Sequence, residues 1–461
     1  MTAPAHSDDA LAPPVGDIER LVDLGESLLG DLGAGEQIEV VLSRGASTSV
    51  EVHAAEVESF TSAGSAAAGV RVLVDGRLGF ASCGTLAPDV LAETLREARD
   101  NCRFSEPDEA NALGAPDGLE PVRQETWFAE VLDLGAREKV ERALSLEAKV
   151  IGTDARVTSA RSTSFDDGWA ESVVLTSTGV KAVSRGTTCS VSTQPLATEG
   201  DQTQIGWGYD VARRPDELAT DRVVSESVDR ATKLLGAGKP PSARMAIVLE
   251  PRLAMTLLGL VAGMLSAESV QKGRSPFADR VGEQIASPLL DLVDDPTRTE
   301  SLAADEFDGE GLACRPNRLI TGGVLDGFLY DSTSARREGV ASTASAVRST
   351  RSLPGPGAQL LVMAPGSSGD LLSGIGLGLA VESFAGLHSG VNPTSGDFSV
   401  GANGLMIRDG SLAEPVQELT IASSIQRLLT DIAAIGSDFE WLPSGQGAAS
   451  VVIEGVSVSG T

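Results

Sequence analysis

Histidine is almost missing from this 461-residue chain: there are three, at positions 6, 53 and 388. A zinc-binding helix needs two imidazoles on one face, four or five residues apart, usually with a glutamate beside the first. No such local motif is present. A histidine site would have to be assembled over long range from His53, His388 and a carboxylate. Cysteine is as sparse. Cys83, Cys102, Cys189 and Cys314 form no Cys-x-x-Cys pair, which excludes a disulfide scaffold and points to reduced, mostly buried thiols. Aromatic residues make up only 4%, so the core must rest on Val, Leu, Ile and Ala. Basic residues number 36 against 65 acidic ones, a formal charge of −29. That excludes a general polyanion binder and argues against nucleic acid as a partner; the surplus acid reads as solubility. The longest uncharged apolar run, Leu253 to Ala267, falls short of the roughly 20 residues that span a bilayer. The opening MTAPAHSDDALAPPVGD lacks a basic end and an apolar centre, so it does not read as a signal peptide. The expectation is a cytoplasmic protein with no membrane partner. Gly-x-Ser-x-Gly is absent, Gly238-Lys239 lacks the phosphate-loop spacing, and Gly374, Gly376 and Gly378 do not make a dinucleotide fingerprint.

What is present suffices for a large core: 41% of residues are hydrophobic. Residues 1–15 read as a flexible tail. Asp17 is a candidate N-cap for a helix carrying Ile18, Leu21, Val22, Leu28 and Leu29. GVRVLV-Asp75-Gly76-RLGFAS is the clearest hairpin, two runs joined by a type I′ turn dipeptide. ESVVLTS and TGVKAVS predict a second hairpin near 171–184. Helices are expected at 88–102, 136–150 and 215–235. GAGKPPSA (236–243) reads as a linker. This divides the chain into an N-terminal α+β domain, 16–235, and a C-terminal domain, 236–461.

The second half should open with a strand, Met245 to Leu249, followed by a helix to about Ser269. Strands are expected at 317–320, 324–330, 359–363, 404–408 and 450–458. A helix is expected from about Ser423 to Ile435, its apolar stripe being Ile425, Leu428, Leu429, Ile432 and Ile435. The mixture predicts two α+β domains, the C-terminal one rich in antiparallel strands. The acidic run Asp305, Glu306, Asp308, Glu310 lacks the spacing of a calcium loop and reads as a solvated turn. The segment Arg252–Ala267 is apolar almost all round and should be buried. Its small-residue face, Gly259 and Gly263, then reads as close packing on its own sheet, the alternative being close approach of a partner subunit.

Three segments of the second half carry a family resemblance: SAESVQKGRSPFADRVGEQIASPLLDLVDDP (266–296), FDGEGLACRPNRLITGGVLDGFLYDSTSARR (307–337) and SGVNPTSGDFSVGANGLMIRDGSLAEPVQELTIA (389–422). With the weaker GVRVLVDGRLGFAS (69–82), they resemble the TldD/PmbA family. The resemblance implies a two-domain α+β fold and a role in peptide hydrolysis. TldD-type members carry His-Glu-x-x-x-His and a distant Cys and are zinc peptidases. TldE/PmbA-type members lack these ligands and pair with a TldD-type subunit. An ungapped match places Gly259 and Leu260 at His-Glu, Met264 at the second His and Gly386 near the Cys. The chain thus resembles the TldE/PmbA branch, although Thr420-Ile421-Ala422-Ser423-Ser424-Ile425 departs from the branch's TIAGNL. Housekeeping and biosynthetic-cluster roles both remain open.

The resemblance implies no metal in this chain, zinc in a TldD-type partner of a heterodimer, and an extended peptide as substrate. Lys272, Arg274, Ser275, His388, Ser389, Asn392 and Asp397 are candidate substrate-chamber residues, each also able to serve a turn or a surface. Two other functions are carried alongside: a metal-independent hydrolase using His388 with Ser389 or a carboxylate, and a stand-alone regulatory or peptide-binding protein.

Overall fold

In a computed structural model describing residues 18–460, strand alternation organises the N-terminal half. Its strands are β1 (Gln37–His53), β2 (Glu56–Val74), β3 (Arg77–Cys83), β4 (Val157–Thr176), β5 (Lys181–Glu199), β6 (Gln202–Ile205) and β7 (Gly208–Ala212). They form one antiparallel sheet in the order β3-β2-β1-β4-β5-β6, with β7 also on β5. Helices α1 (Ile18–Leu29), α2 (Pro88–Phe104), α3 (Ala136–Thr153) and α4 (Thr220–Thr232) cover the face carrying Ile38, Val40, Leu42, Val50 and Val52. The intervening residues of β1 point the other way, as a period of two requires. Residues 1–15 and Asp17 lie outside the described residues.

Both expected hairpins are present. Asp75 and Gly76 have φ of 48° and 74°, the left-handed pair a type I′ turn demands. The β1–β2 tip is less orthodox: Ala54 and Ala55 adopt φ of 53° and 61°. The buried Glu147 of α3 offsets that strain, accepting the Ala54 and Ala55 N–H groups at 3.0 and 2.8 Å. The helix expected over 215–235 starts later, at Thr220, after a 3₁₀ turn at Pro215–Glu217. Asp210 accepts the Ala219 N–H at 2.7 Å and so fixes where α4 begins.

The C-terminal half begins with β8 (Ala243–Leu249), α5 (Pro251–Met264) and α6 (Ala267–Gln271). It continues through β9 (Leu292–Asp294), β10 (Asn317–Thr321), β11 (Val324–Leu325), α7 (Ser332–Glu338), β12 (Ala346–Val347), β13 (Gly355–Pro356) and β14 (Leu361–Met363). Then come β15 (Leu377–Ala385), α8 (Leu387–Gly390), β16 (Asp397–Arg408), β17 (Ser411–Ser424) and α9 (Ile425–Thr430). The chain finishes with β18 (Ile432–Ile435), β19 (Glu440–Trp441), β20 (Gly447–Ala448) and β21 (Val451–Ser459). Strands β17, β16, β15, β8 and β21 pair in sequence, and β17 also pairs with β21, so the sheet closes on itself. A smaller sheet, β11-β10-β9-β14-β20-β19, lies alongside, and α5 packs into the large core between them.

Three expectations are corrected here. The run 423–435 is not one helix: α9 ends at Thr430, and Ile432 and Ile435 sit on β18 against β21. All five residues of the expected stripe are buried, but the core is reached by a helix and then a strand. The strand expected over 324–330 is only β11, because the chain leaves it to enter the capping box that starts α7 at Asp331. The helix expected to Ser269 breaks after Met264 and restarts as α6, capped by Ser266.

Only the first half of the acidic run is solvated: Asp305 is exposed and Glu306 half-buried, whereas the second half is not. Asp308 and Glu310 are 4% and 0% exposed. Asp308 accepts N–H groups from Glu310, Leu312 and Ala346 at 2.9, 2.9 and 3.0 Å. Glu310 accepts from Arg71 at 3.1 Å and from the Ser332 N–H at 2.9 Å. Arg71 stands directly opposite Glu39 across the β1–β2 ladder and bonds it through Nε at 2.7 Å. Arg348 closes the network on Glu39. Two carboxylates and two guanidiniums thus compensate one another where the N-terminal sheet meets the C-terminal loops, the condition under which charge tolerates burial.

Candidate functional site

The site is built on α5. Strand β8 delivers the chain to Glu250, Pro251 takes the first helical turn, where its missing N–H costs nothing, and Leu253, Ala254, Leu257, Leu258, Val261 and Met264 enter the core. The remaining stripe is Arg252, Thr256, Gly259 and Gly263, spaced as one helix face. Its glycines are exposed, and a β-carbon at either would meet nothing within 4 Å. The expected close packing of this face on its own sheet is therefore absent. An apolar composition predicted burial all round, but nothing packs within 4 Å of a β-carbon at the two glycines.

Two hollows follow the open stripe. One, of about 390 Å³, is lined by Gly259, Ala262 and Gly263 and faced by Ala358, Leu361 and Gln446. The other, of about 380 Å³, lies where α4 meets α5 and the loop after β19. Met255 lines both, so they adjoin along the helix. In the second hollow Trp207 carries two guanidiniums, those of Arg230 at 4.1 Å and Arg252 at 4.7 Å from its ring centre, and Tyr209 packs beside it at 5.9 Å. Arg222 pairs with Asp210 and Glu226 at 2.6 and 3.1 Å. Lys233 pairs with Asp229 and Glu382 at 2.7 and 2.6 Å. Glu440 stands exposed at the rim, and its carboxylate has no ion pair or hydrogen bond among the described residues. Burial, then the Glu226 charge, hold its pKa above the ordinary value; Arg222 opposes them, and Glu250 and Asp438 add to them.

The residues matched to the zinc motif do not fit a zinc ion. Gly259 has no side chain and lies on the open face, Leu260 is half-buried against the core, and the Met264 thioether is 2% exposed on the inner side. Gly386, with φ of 74°, begins α8. None is a competent donor for a borderline cation. Among the described residues no group of three or more His, Cys, Asp or Glu could hold a metal. His53 is committed elsewhere, its Nδ1 lying 2.9 Å from the Ala160 carbonyl oxygen.

The seven candidate chamber residues line neither hollow. Lys272 pairs with Glu268 one helical turn away. Arg274 is exposed, and Ser275 accepts the Phe277 N–H at 3.1 Å. Asn392 accepts the Thr394 N–H at 2.9 Å, and Asp397 accepts the Ser395 hydroxyl at 2.7 Å. His388 is exposed on α8, and the Ser389 hydroxyl donates to the Gly386 carbonyl at 3.3 Å instead of to an imidazole. Consecutive helical residues do not face each other. Sequence reasoning missed Trp207, Tyr209 and Glu440. An aromatic pair inside a charged stretch was the available signal.

Family models match nearly the whole chain: PmbA/TldA metallopeptidase domain 1 over 38–102, the central domain over 129–235 and the C-terminal domain over 242–460. The chain is 27% identical to the metalloprotease PmbA of Escherichia coli O157:H7 over 93% of each protein. It is 25% identical to a metalloprotease TldD homologue of Haemophilus influenzae, covering 74% of this chain and 76% of that one. Among solved structures, TldE from Thermococcus kodakarensis superposes with a TM-score of 0.85 at 23% identity, covering 96% of this chain and all of that one. A Bacteroides thetaiotaomicron protein described as a candidate modulator of DNA gyrase gives 0.86 at 26% identity, covering 95% and 99%.

Proposed function

We propose, for a chain that belongs to the PmbA/TldD metallopeptidase family, that it is the metal-free half of a two-subunit peptidase. A TldD-type partner supplies the zinc and the general base, and this chain supplies a wall of the substrate chamber. The observation that carries the reading is the open face of α5. Zinc-bearing relatives place donors on this helix, whereas here the exposed positions are glycines with free space beyond them. Such a face can accept an extended backbone at close range, and the stripe from Arg252 to Gly263 is about 16 Å long, enough for roughly five extended residues.

The test is elemental analysis with mass photometry on the single chain and on the chain co-expressed with its zinc-bearing paralogue. The expected result is one zinc per heteromer, in the partner, with peptide hydrolysis by the pair and none by this chain alone. Stoichiometric zinc on the isolated chain, hydrolysis by it in a chelator, or failure to capture any such paralogue would each overturn the reading.

A further inference from the structure

We infer that the outer edge of β2 over residues 60–66 is a self-association surface, where a second copy of this chain adds its own β2 antiparallel and joins the two N-terminal sheets. The inference goes beyond the peptidase reading, since it calls on neither zinc nor substrate. Strand β3 pairs only with residues 68–74 of β2, whereas β1 pairs with β2 as far as Glu56. Among the described residues no other segment bonds the remaining outer edge. Val74 and Arg77 flank the two-residue turn and form the bonded pair that closes the hairpin. Alternation along the ladder then aims the N–H and C=O groups of Val70, Val72 and Val74 at β3, and those of Phe60, Ser62, Gly64 and Ala66 outward. Residues 60–65 are all exposed.

An open edge of this kind pairs with an incoming strand unless something blunts it. Here nothing does. Residues 59–70 contain no charge and no proline, and the bulge in the β1–β2 ladder lies at the hairpin end, at Glu51/Val52. The opposite side of the hairpin is protected, since Asn101 of α2 donates to the Phe80 carbonyl of β3 at 3.0 Å. The occupant is assigned from charge and self-complementarity. In a chain of net charge −29, this neutral stretch lets two copies reach strand distance without opposing carboxylates. Antiparallel pairing about a two-fold axis presents the same patch from both copies. With Ser62 on that axis, Phe60 of each copy lies across from Gly64 of the other, an aromatic ring covering a glycine. Phe60 stands opposite the core residue Val50 on β1 yet is 43% exposed, so the second copy also covers a large apolar ring at the open border of the N-terminal core. About six hydrogen bonds between copies follow. With about ten residues a side, against the 20–30 of a standard interface, the dimer should dissociate in the micromolar range.

The experiment is sedimentation velocity on the full chain from about 1 to about 200 µM, beside variants of the edge. The parent should shift from monomer toward dimer across that range. Ser62→Lys sets two ammonium groups face to face on the axis and should weaken dimerisation at least about tenfold, with the melting temperature unchanged because position 62 is exposed. Ser62→Cys, with the half-buried Cys83 replaced by Ser and oxidised glutathione present, should cross-link to itself: a bonded antiparallel pair holds its Cα atoms about 5.5 Å apart, within disulfide reach. Ala63→Cys in the same background points to the other face, with Thr61 of the second copy opposite, and should not. A chain that is monomeric at every concentration, a dimer indifferent to Ser62→Lys, or equal cross-linking of the two cysteine variants overturns the proposal. Loss of capture of the zinc-bearing paralogue in Ser62→Lys also overturns it, because the edge then belongs to that partner. The peptidase reading stands or falls separately, on zinc content and hydrolysis by the co-expressed pair, both of which Ser62→Lys should leave as in the parent.

Discussion

Of the places where the N-terminal half meets the C-terminal half, two are rich in charge and differ in how water reaches them. At the first, Glu39, Arg71, Glu310 and Arg348 are each 4% exposed or less at the side chain and each is paired. At the second, α4 and α5 leave a hollow whose cations are ion-paired and whose Glu440 is exposed, with Arg222 as a facing charge and no ion pair of its own. Both seams are rich in charge, so charge density does not distinguish them. Solvent access and completeness of pairing do. A closed seam has to pair its charges within the protein, whereas at an open one water can solvate a carboxylate such as Glu440.

The contrast can be broken most sharply at the closed seam. Arg71→Met strips Glu310 of its cation and Glu39 of one of two, and should lower stability by about 3–5 kcal/mol, read as a fall in the urea midpoint. The same substitution logic at the open seam predicts little: Glu440→Gln should stay within about 0.5 kcal/mol of the parent.

Glycines repeat the comparison. Gly79 packs on α2, where a β-carbon would lie 2.0 Å from the Ala98 oxygen; Gly79→Ala should cost about 1–3 kcal/mol. Gly259→Ala meets open space and should gain up to about 1 kcal/mol from helix propensity, while impeding peptide binding at the open face. Paired urea melts check both signs.

Acid offers a further discrimination. Burial, with the Glu310 charge adding, pushes the Asp308 carboxyl up to about 7 from 3.8. Burial likewise lifts Asp294 to about 6. A carboxyl whose folded pKa exceeds its unfolded one contributes stability that is full below the unfolded value and lost as pH rises through the folded one. Acidifying from pH 8 to 6 should therefore raise the urea midpoint modestly through these groups, and Asp308→Asn should flatten that slope. Burial pushes Glu39 up too, but Arg71 and Arg348 outweigh it and hold it below 4.5; its stabilisation is lost only in stronger acid. A midpoint that falls steadily between pH 8 and 6 in the parent, and equally in Asp308→Asn, would overturn this account.

Much of the fold was legible where the deciding interaction is local. The Asp75-Gly76 turn, α2, α3 and β8 follow from residues next to one another. The stripe Ile425 to Ile435 misled because burial at a spacing of three and four is served equally by a short helix running into a strand. The small polar run SFTSAGSAAAG within β2 carries little strand propensity and is held extended by β1, which pairs along its whole length. The acids at 308 and 310 looked solvated because the cation that compensates Glu310 lies 239 residues earlier. The residues of the candidate pocket were missed for the same reason, since Trp207, Arg252 and Glu440 come from three separated stretches.

The family segments, the absence of zinc donors at 259, 260 and 264, and the acidic surface were determined by the sequence alone, because the chemistry of a side chain needs no neighbour to define it. Which charges are buried, which glycines face open space and which carboxylate is left without a partner were decided only by the tertiary structure. Desolvation and pairing belong to what a group is packed against, and the chain assembles those surroundings from residues hundreds of positions apart.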